Sequence, residues 1–163
     1  MTLYMSASRQ LYLAPLVSEV PAGPPPPDPM RWKSMAVIGV AQVLLILDMT
    51  IVNVALPTAQ HDLGIADADR HWVVTAYTLT FGGLLLLGGR IADRVGRKRA
   101  FILGLAGFAA ASTAAGFAVN AVTLFAARAL QGGFAAVLAP AALSLLVVTF
   151  TDPRERAKAF AIY

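Results

Sequence analysis

Two ionisable residues stand inside long apolar runs of this chain, and they are the first candidates for chemistry. Asp48 follows Leu44-Leu45-Ile46-Leu47, and Arg128 sits within Leu124-Phe125-Ala126-Ala127-Arg128-Ala129-Leu130. A charge in hydrocarbon costs about 2.5–3.5 kcal/mol even on lenient insertion scales, so such residues pair with one another or mark an ion or substrate path. Their depths agree. Asp48 lies nine residues before Pro57, where the first apolar run ends, and Arg128 lies eight residues after Asn120, where the last long run begins; at ~1.5 Å per residue these are ~13 Å and ~12 Å from the same side. An ion pair, direct or through water, is expected if the two segments adjoin. It either holds two helices together permanently or leaves a carboxylate that titrates in response to a ligand. Gln131, three residues after Arg128, shares its helix face. Gln42 and Asn53, eleven residues or about three turns apart, share a face that Asp48 does not. With Thr50 they either line a polar cavity or bond between helices.

The elements that must position these residues are membrane spans. The 163 residues are 58% hydrophobic and 13% charged, with mean hydropathy +0.68, whereas soluble domains carry about 25% charged residues. The net charge of +4 and pI near 9.9 do not indicate nucleic acid, because the basic residues cluster between apolar segments. With no cysteine, disulfides and thiolate metal sites are excluded. His61 and His71 lack a metal-ligand pattern, so no metal is expected. No nucleophile–base pairing or phosphate loop is visible, which argues against an enzyme. Apolar runs predict an all-α, polytopic membrane bundle with helices at about 34–56, 72–89, 100–119 and 122–150. Met35–Leu47 has the length of a signal-peptide h-region, but the apolar pattern continues to Pro57 with no clean cleavage site, which favours a spanning helix. Small-residue ladders, Gly107-Ala111-Ala115 and Gly132-Ala136-Pro140, mark close helix contacts. Residues 1–30 read as a disordered segment, with Pro21 and Pro24–Pro27 favouring an extended linker and Met30 offering a second start.

Lysine and arginine positions set the expected topology. Arg31 and Lys33 flank the first helix; Arg90, Arg94, Arg97, Lys98 and Arg99 fill the loop after the second; Arg154, Arg156 and Lys158 follow the fourth; Arg70 stands alone in the remaining loops. Both ends are therefore expected on the cytoplasmic side of a cell membrane. Asp152-Pro153-Arg154-Glu155 is a helix start, with Asp at the N-cap, Pro at N1 and Glu at N3. A fifth helix from about residue 153 is expected to be cut short at Tyr163; the alternative is a short amphipathic tail on the membrane surface.

These residues resemble the major facilitator superfamily over about residues 31–163. Gly89-x-Ile91-Ala92-Asp93-Arg94-x-Gly96-Arg97-Lys98 is similar to its signature loop between helices 2 and 3. Leu124-x-x-x-Arg128-x-x-Gln131-Gly132 is similar to the helix 4 motif of its proton-coupled antiporters. Leu47-Asp48-x-Thr50-Ile51-Val52-Asn53-Val54-Ala55-Leu56-Pro57 and Trp72-Val73-Val74-Thr75-Ala76-Tyr77 resemble the fourteen-span drug:proton antiporter branch. The resemblance implies that the chain is the N-terminal part of such a fold. Asp93 would hold a cytoplasmic gate closed by bonding to Arg97 and to a helix of the second half, Gly89 and Gly96 would permit tight approach and a sharp turn, and Arg128 would take part in proton coupling. Asp48 would be a protonation or cation-recognition site. Phe134 departs from the glycine usual there. The implied activity is multidrug or small-molecule efflux without a cofactor, driven by the proton gradient. The implied partners are a lipophilic or cationic substrate, membrane lipids and the remainder of the transporter. Two alternatives remain open: a symporter of the same superfamily, and a small four-helix membrane protein with a structural or assembly role.

Overall fold

The computed structural model describes residues 29–163; the predicted disordered segment falls, up to residue 28, outside the described residues. The described chain folds into helices α1 (Arg31–Asp62), α2 (Trp72–Val95), α3 (Arg97–Gly116), α4 (Ala121–Thr149) and α5 (Pro153–Ile162). The first four are each long and apolar enough to cross a membrane.

α4 is the centre. It packs along α2 and α3 and is touched more sparsely by α1 and α5. Its start is fixed by Asn120, whose side chain accepts from the Thr123 amide at 2.9 Å while Thr123 Oγ1 accepts from the Asn120 amide at 3.3 Å. This reciprocal pair satisfies two otherwise orphaned donors. The Gly132-Ala136 ladder is buried against α2, where backbones approach closely enough to exclude a side chain at Gly88. Phe134, the odd residue of its motif, is absorbed elsewhere. A Cβ at Gly107 would lie 2.3 Å from Phe134 Cδ1, so the ring occupies the space that α3 leaves at Gly107.

Several boundaries differ from expectation. α1 does not stop at Leu56 but runs through Pro57 to Asp62. Proline removes one backbone donor, and a membrane helix tolerates that loss. The stop comes at Gly64, whose φ of +62° suits glycine, with Leu63 N–H closing on Ala59 O at 3.0 Å. The basic segment 90–99 is not a loop. Its arginines and lysine are good helix formers, so α2 continues to Val95 and α3 begins at Arg97, with only Gly96 between them. Gly96 has φ +96° and open space around it, so the backbone conformation rather than crowding selects glycine here. The third helix correspondingly starts and ends about three residues earlier than predicted, at Arg97 and Gly116.

α5 is capped as its sequence dictates: Asp152 accepts from the amides of Arg154 and Glu155 at 2.9 and 3.0 Å. Glu155 turns away from its own cap toward α1. Arg31 donates to it through Nε at 3.0 Å and Nη2 at 2.9 Å. Beside this fork, Trp32 meets Phe150 edge-on at 5.2 Å, and Met35, Leu146, Phe150 and Ala159 form a small buried cluster. The ion pair is partly solvated, with side chains 19% and 31% exposed. A double-mutant cycle with Arg31→Ala and Glu155→Gln, read by thermal unfolding in detergent, is expected to give a coupling of only about 0.5–1 kcal/mol. A markedly larger value would mean that the fork, not the apolar cluster, holds α5 in place.

Candidate functional site

Asp48 on α1 and Arg128 and Gln131 on α4 meet in one closed triangle. Arg128 Nη1 donates to Asp48 Oδ2 at 2.6 Å and to Gln131 Oε1 at 2.8 Å, and Gln131 Nε2 donates to Asp48 Oδ1 at 2.8 Å. Each carboxylate oxygen thus has a donor. The guanidinium is held from α2 as well: Nε donates to the Val73 carbonyl at 3.2 Å, and its carbon lies 4.7 Å from the centroid of the Tyr77 ring. A ring face attracts a cation, the more so when both are dry. Nη2 also approaches Met49 Sδ at 3.8 Å. The Arg128 side chain is 1% exposed and that of Asp48 is 9%. Burial of either charge alone would be severely unfavourable; together the pair is neutral, and Nε and Nη1 of the guanidinium and both carboxylate oxygens have strong partners.

The triangle forms one end of a cavity of about 430 Å³. Its walls come from the C-terminal half of α1, the end of α3 and the start of α4, with Val73 from α2. Ile51, Val52, Leu56 and Leu124 give it an apolar surface, while Thr58, Ser112 and Asp62 add polar groups away from the triangle. A few converging polar groups in a mostly apolar concavity of this size suit a small organic molecule.

Several expected residues lie elsewhere. Asn53 Nδ2 donates to the Met49 carbonyl at 2.9 Å, and Thr50 Oγ1 donates to the Ile46 carbonyl at 3.2 Å. Both side chains satisfy themselves on their own helix. Neither they nor Gln42 line the cavity, so the expected polar face of Gln42, Asn53 and Thr50 does not form its wall. In the corner between α2 and α3, Asp93, Arg94, Arg97 and Lys98 are exposed and Gly89 is half-buried. The expected Asp93–Arg97 bond is absent among the described residues. A continuous helix would bring a pair four residues apart together, but Gly96 breaks the helix between them. Sequence reasoning missed Tyr77, Val73 and Asp62. Tyr77 and Val73 belong to a segment that the sequence singles out, but an aromatic and a backbone carbonyl carry no local sign that they hold a cation on another helix.

A membrane-spanning helical bundle with a neutralised, buried charge pair at the end of a solute-sized cavity defines a class, the polytopic α-helical membrane proteins with an intramembrane polar site. Within that class the chain belongs to the Major Facilitator Superfamily, whose family model matches residues 38–163. It is 60% identical over 137 residues to the puromycin resistance protein of Streptomyces alboniger, covering 84% of this chain and 27% of that relative. It is 47% identical over 122 residues to the cephamycin export protein of Amycolatopsis lactamdurans, covering 75% and 25%. To the lincomycin resistance protein of Streptomyces lincolnensis it is 44% identical over 116 residues, covering 71% and 24%. The chain spans about a quarter of the length of these relatives.

Proposed function

We propose that this chain forms the N-terminal part of a drug or antibiotic exporter of the cell membrane, driven by proton entry, with Asp48 as the coupling acid. The observation that carries the reading is the buried Asp48–Arg128–Gln131 triangle opening onto the cavity. The names of the relatives, resistance and export proteins, support a small organic substrate.

The chemistry follows from charge balance. With Asp48 ionised, the triangle is neutral and the cavity tolerates a lipophilic or cationic guest. A proton on Asp48 removes the anion and leaves the Arg128 charge facing the guest with only neutral acceptors around it. That state repels a cation and is itself unfavourable in a dry site. Binding of a proton and of a cationic guest are thereby opposed, which is the requirement for exchange. Positive-inside counting supports a cytoplasmic N-terminus, which directs the cavity to the outer side. The corner at Gly96, with the acid Asp93 among five cations, would meet the remainder of the transporter on the cytoplasmic side.

The test uses a chimera in which this chain replaces the matching 137 residues of the S. alboniger protein. Gradient-driven efflux is expected from the chimera, to be lost in Asp48→Asn and partly restored in Asp48→Glu, at equal membrane abundance. Undiminished gradient-driven efflux by Asp48→Asn would rule out Asp48 as the coupling acid.

A further inference from the structure

The cavity carries two carboxylates, and only one of them is neutralised. Asp48, at the inner end, has both oxygens bonded to Arg128 and Gln131. Asp62 is the last residue of α1 and lines the same cavity. Fourteen residues separate them on one helix, about 21 Å of rise. Asp62 is therefore at the opposite end of the wall from the triangle, and its side chain is 64% exposed. Its described partner is His61 Nδ1 at 3.2 Å, on a ring that is itself 91% exposed. No lysine or arginine pairs with it among the described residues. The lining thus holds two acids and one base, Arg128, so its net charge is −1 and that charge is concentrated at the mouth.

Nothing in the fold requires an acid there. A carboxylate at the C-terminal end of a helix faces the negative pole of the macrodipole and is unfavourable to the helix. The carbonyls of the last turn and the carboxylate together make a locus that attracts cations. Between it and the triangle runs the apolar wall of Val52, Ala55, Leu56 and Ala59.

We propose that Asp62 is the cation-recognition residue of this cavity, taking the positive group of a lipophilic monocation whose apolar body lies along α1, while Asp48 is left to exchange protons. This rests on reading the cavity as a substrate path. It divides two tasks between two acids: Asp48 already has a resident cation in Arg128, whereas Asp62 does not.

Asp62 and the apolar wall belong to this chain, so binding is measured on the purified 163-residue polypeptide in phosphatidylcholine nanodiscs, with empty nanodiscs as background. The probe is tetraphenylphosphonium, with uncharged triphenylphosphine oxide as comparison. Saturable tetraphenylphosphonium binding is expected, weakened about fivefold by Asp62→Asn, the scale of an exposed charge pair, and recovered in Asp62→Glu. Affinity should fall with added salt in the unmodified chain and much less in Asp62→Asn. Triphenylphosphine oxide binding should not change with either substitution. Absence of saturable binding, an unaltered affinity in Asp62→Asn, or an equal loss for the neutral probe would each overturn the assignment. No gradient is present in this measurement, so it can fail while Asp48 still couples efflux in the chimera, and the reverse.

Discussion

Replacing Arg128 alone with methionine is expected to destabilise the chain by about 3–5 kcal/mol, because it strands a buried carboxylate. In Arg128→Met, Asp48 Oδ2 loses its donor, and only the neutral amide of Gln131 remains to Oδ1. At 9% exposure little water reaches that carboxylate to replace what is lost. Asp48→Asn should fail in the complementary way, leaving the guanidinium with the Val73 carbonyl, Gln131 Oε1 and the Tyr77 ring but no anion. The double substitution Asp48→Asn/Arg128→Met removes both charges together and should recover most of the loss, since a buried pair contributes little net stability over an apolar replacement. Circular dichroism during unfolding in detergent reads all four proteins. If the double substitution is as unstable as the sum of the singles, the two side chains are not coupled and the triangle does not hold in solution.

The Asp48–Arg128 pairing is legible in the amino-acid sequence because helical rise is nearly constant: counting residues from two ends on the same side places both charges at one depth. Gln131 follows from the same periodicity, and Asp152 from the chemistry of a cap. The departures share an origin, the gap between a local pattern and its surroundings. Pro57 reads as a stop signal, yet it removes only one backbone donor, and α1 keeps its form for five residues beyond it. The basic corner reads as a loop only when charge is equated with irregular backbone, whereas arginine and lysine favour helix and Gly96 alone makes the bend. Gln42 and Asn53 share one face, but a face does not say what it looks at; that depends on which helices adjoin. The contribution of α2 to the site through a carbonyl and an aromatic ring, and the return of Asp62 to the cavity after the helix passes Pro57, both depend on tertiary placement that no local pattern encodes.

The approach of α2 to α4 is where the site is most vulnerable at a distance. An alanine at Gly88 would place its Cβ 2.1 Å from the Ala136 carbonyl oxygen and 2.6 Å from its carbon. These are backbone atoms of a helix interior and cannot rotate aside, so the two helices must separate. Gly88→Ala is expected to cost about 3 kcal/mol, the upper range for overpacking a tight contact. Gly82→Ala, on the same helix with nothing within 4 Å of the added carbon, should instead stabilise by about 0.5 kcal/mol by restricting the unfolded chain. The contrast isolates the contact from helix propensity, which is the same for both. Val73 and Tyr77 lie on α2, and the Tyr77 carbonyl is 2.3 Å from where a Cβ at Gly132 would stand. Gly88 is eleven residues from Tyr77, about 16 Å along the helix. If α2 moves as a rigid rod, Gly88→Ala should also draw the ring and the Val73 carbonyl away from the guanidinium. Tyrosine fluorescence would not separate Tyr77 from the other tyrosines, so the check is a cycle of Gly88→Ala with Tyr77→Leu. Strong non-additivity in unfolding free energy would show that the distant contact holds the ring against Arg128; simple additivity would show that α2 bends locally and spares the site.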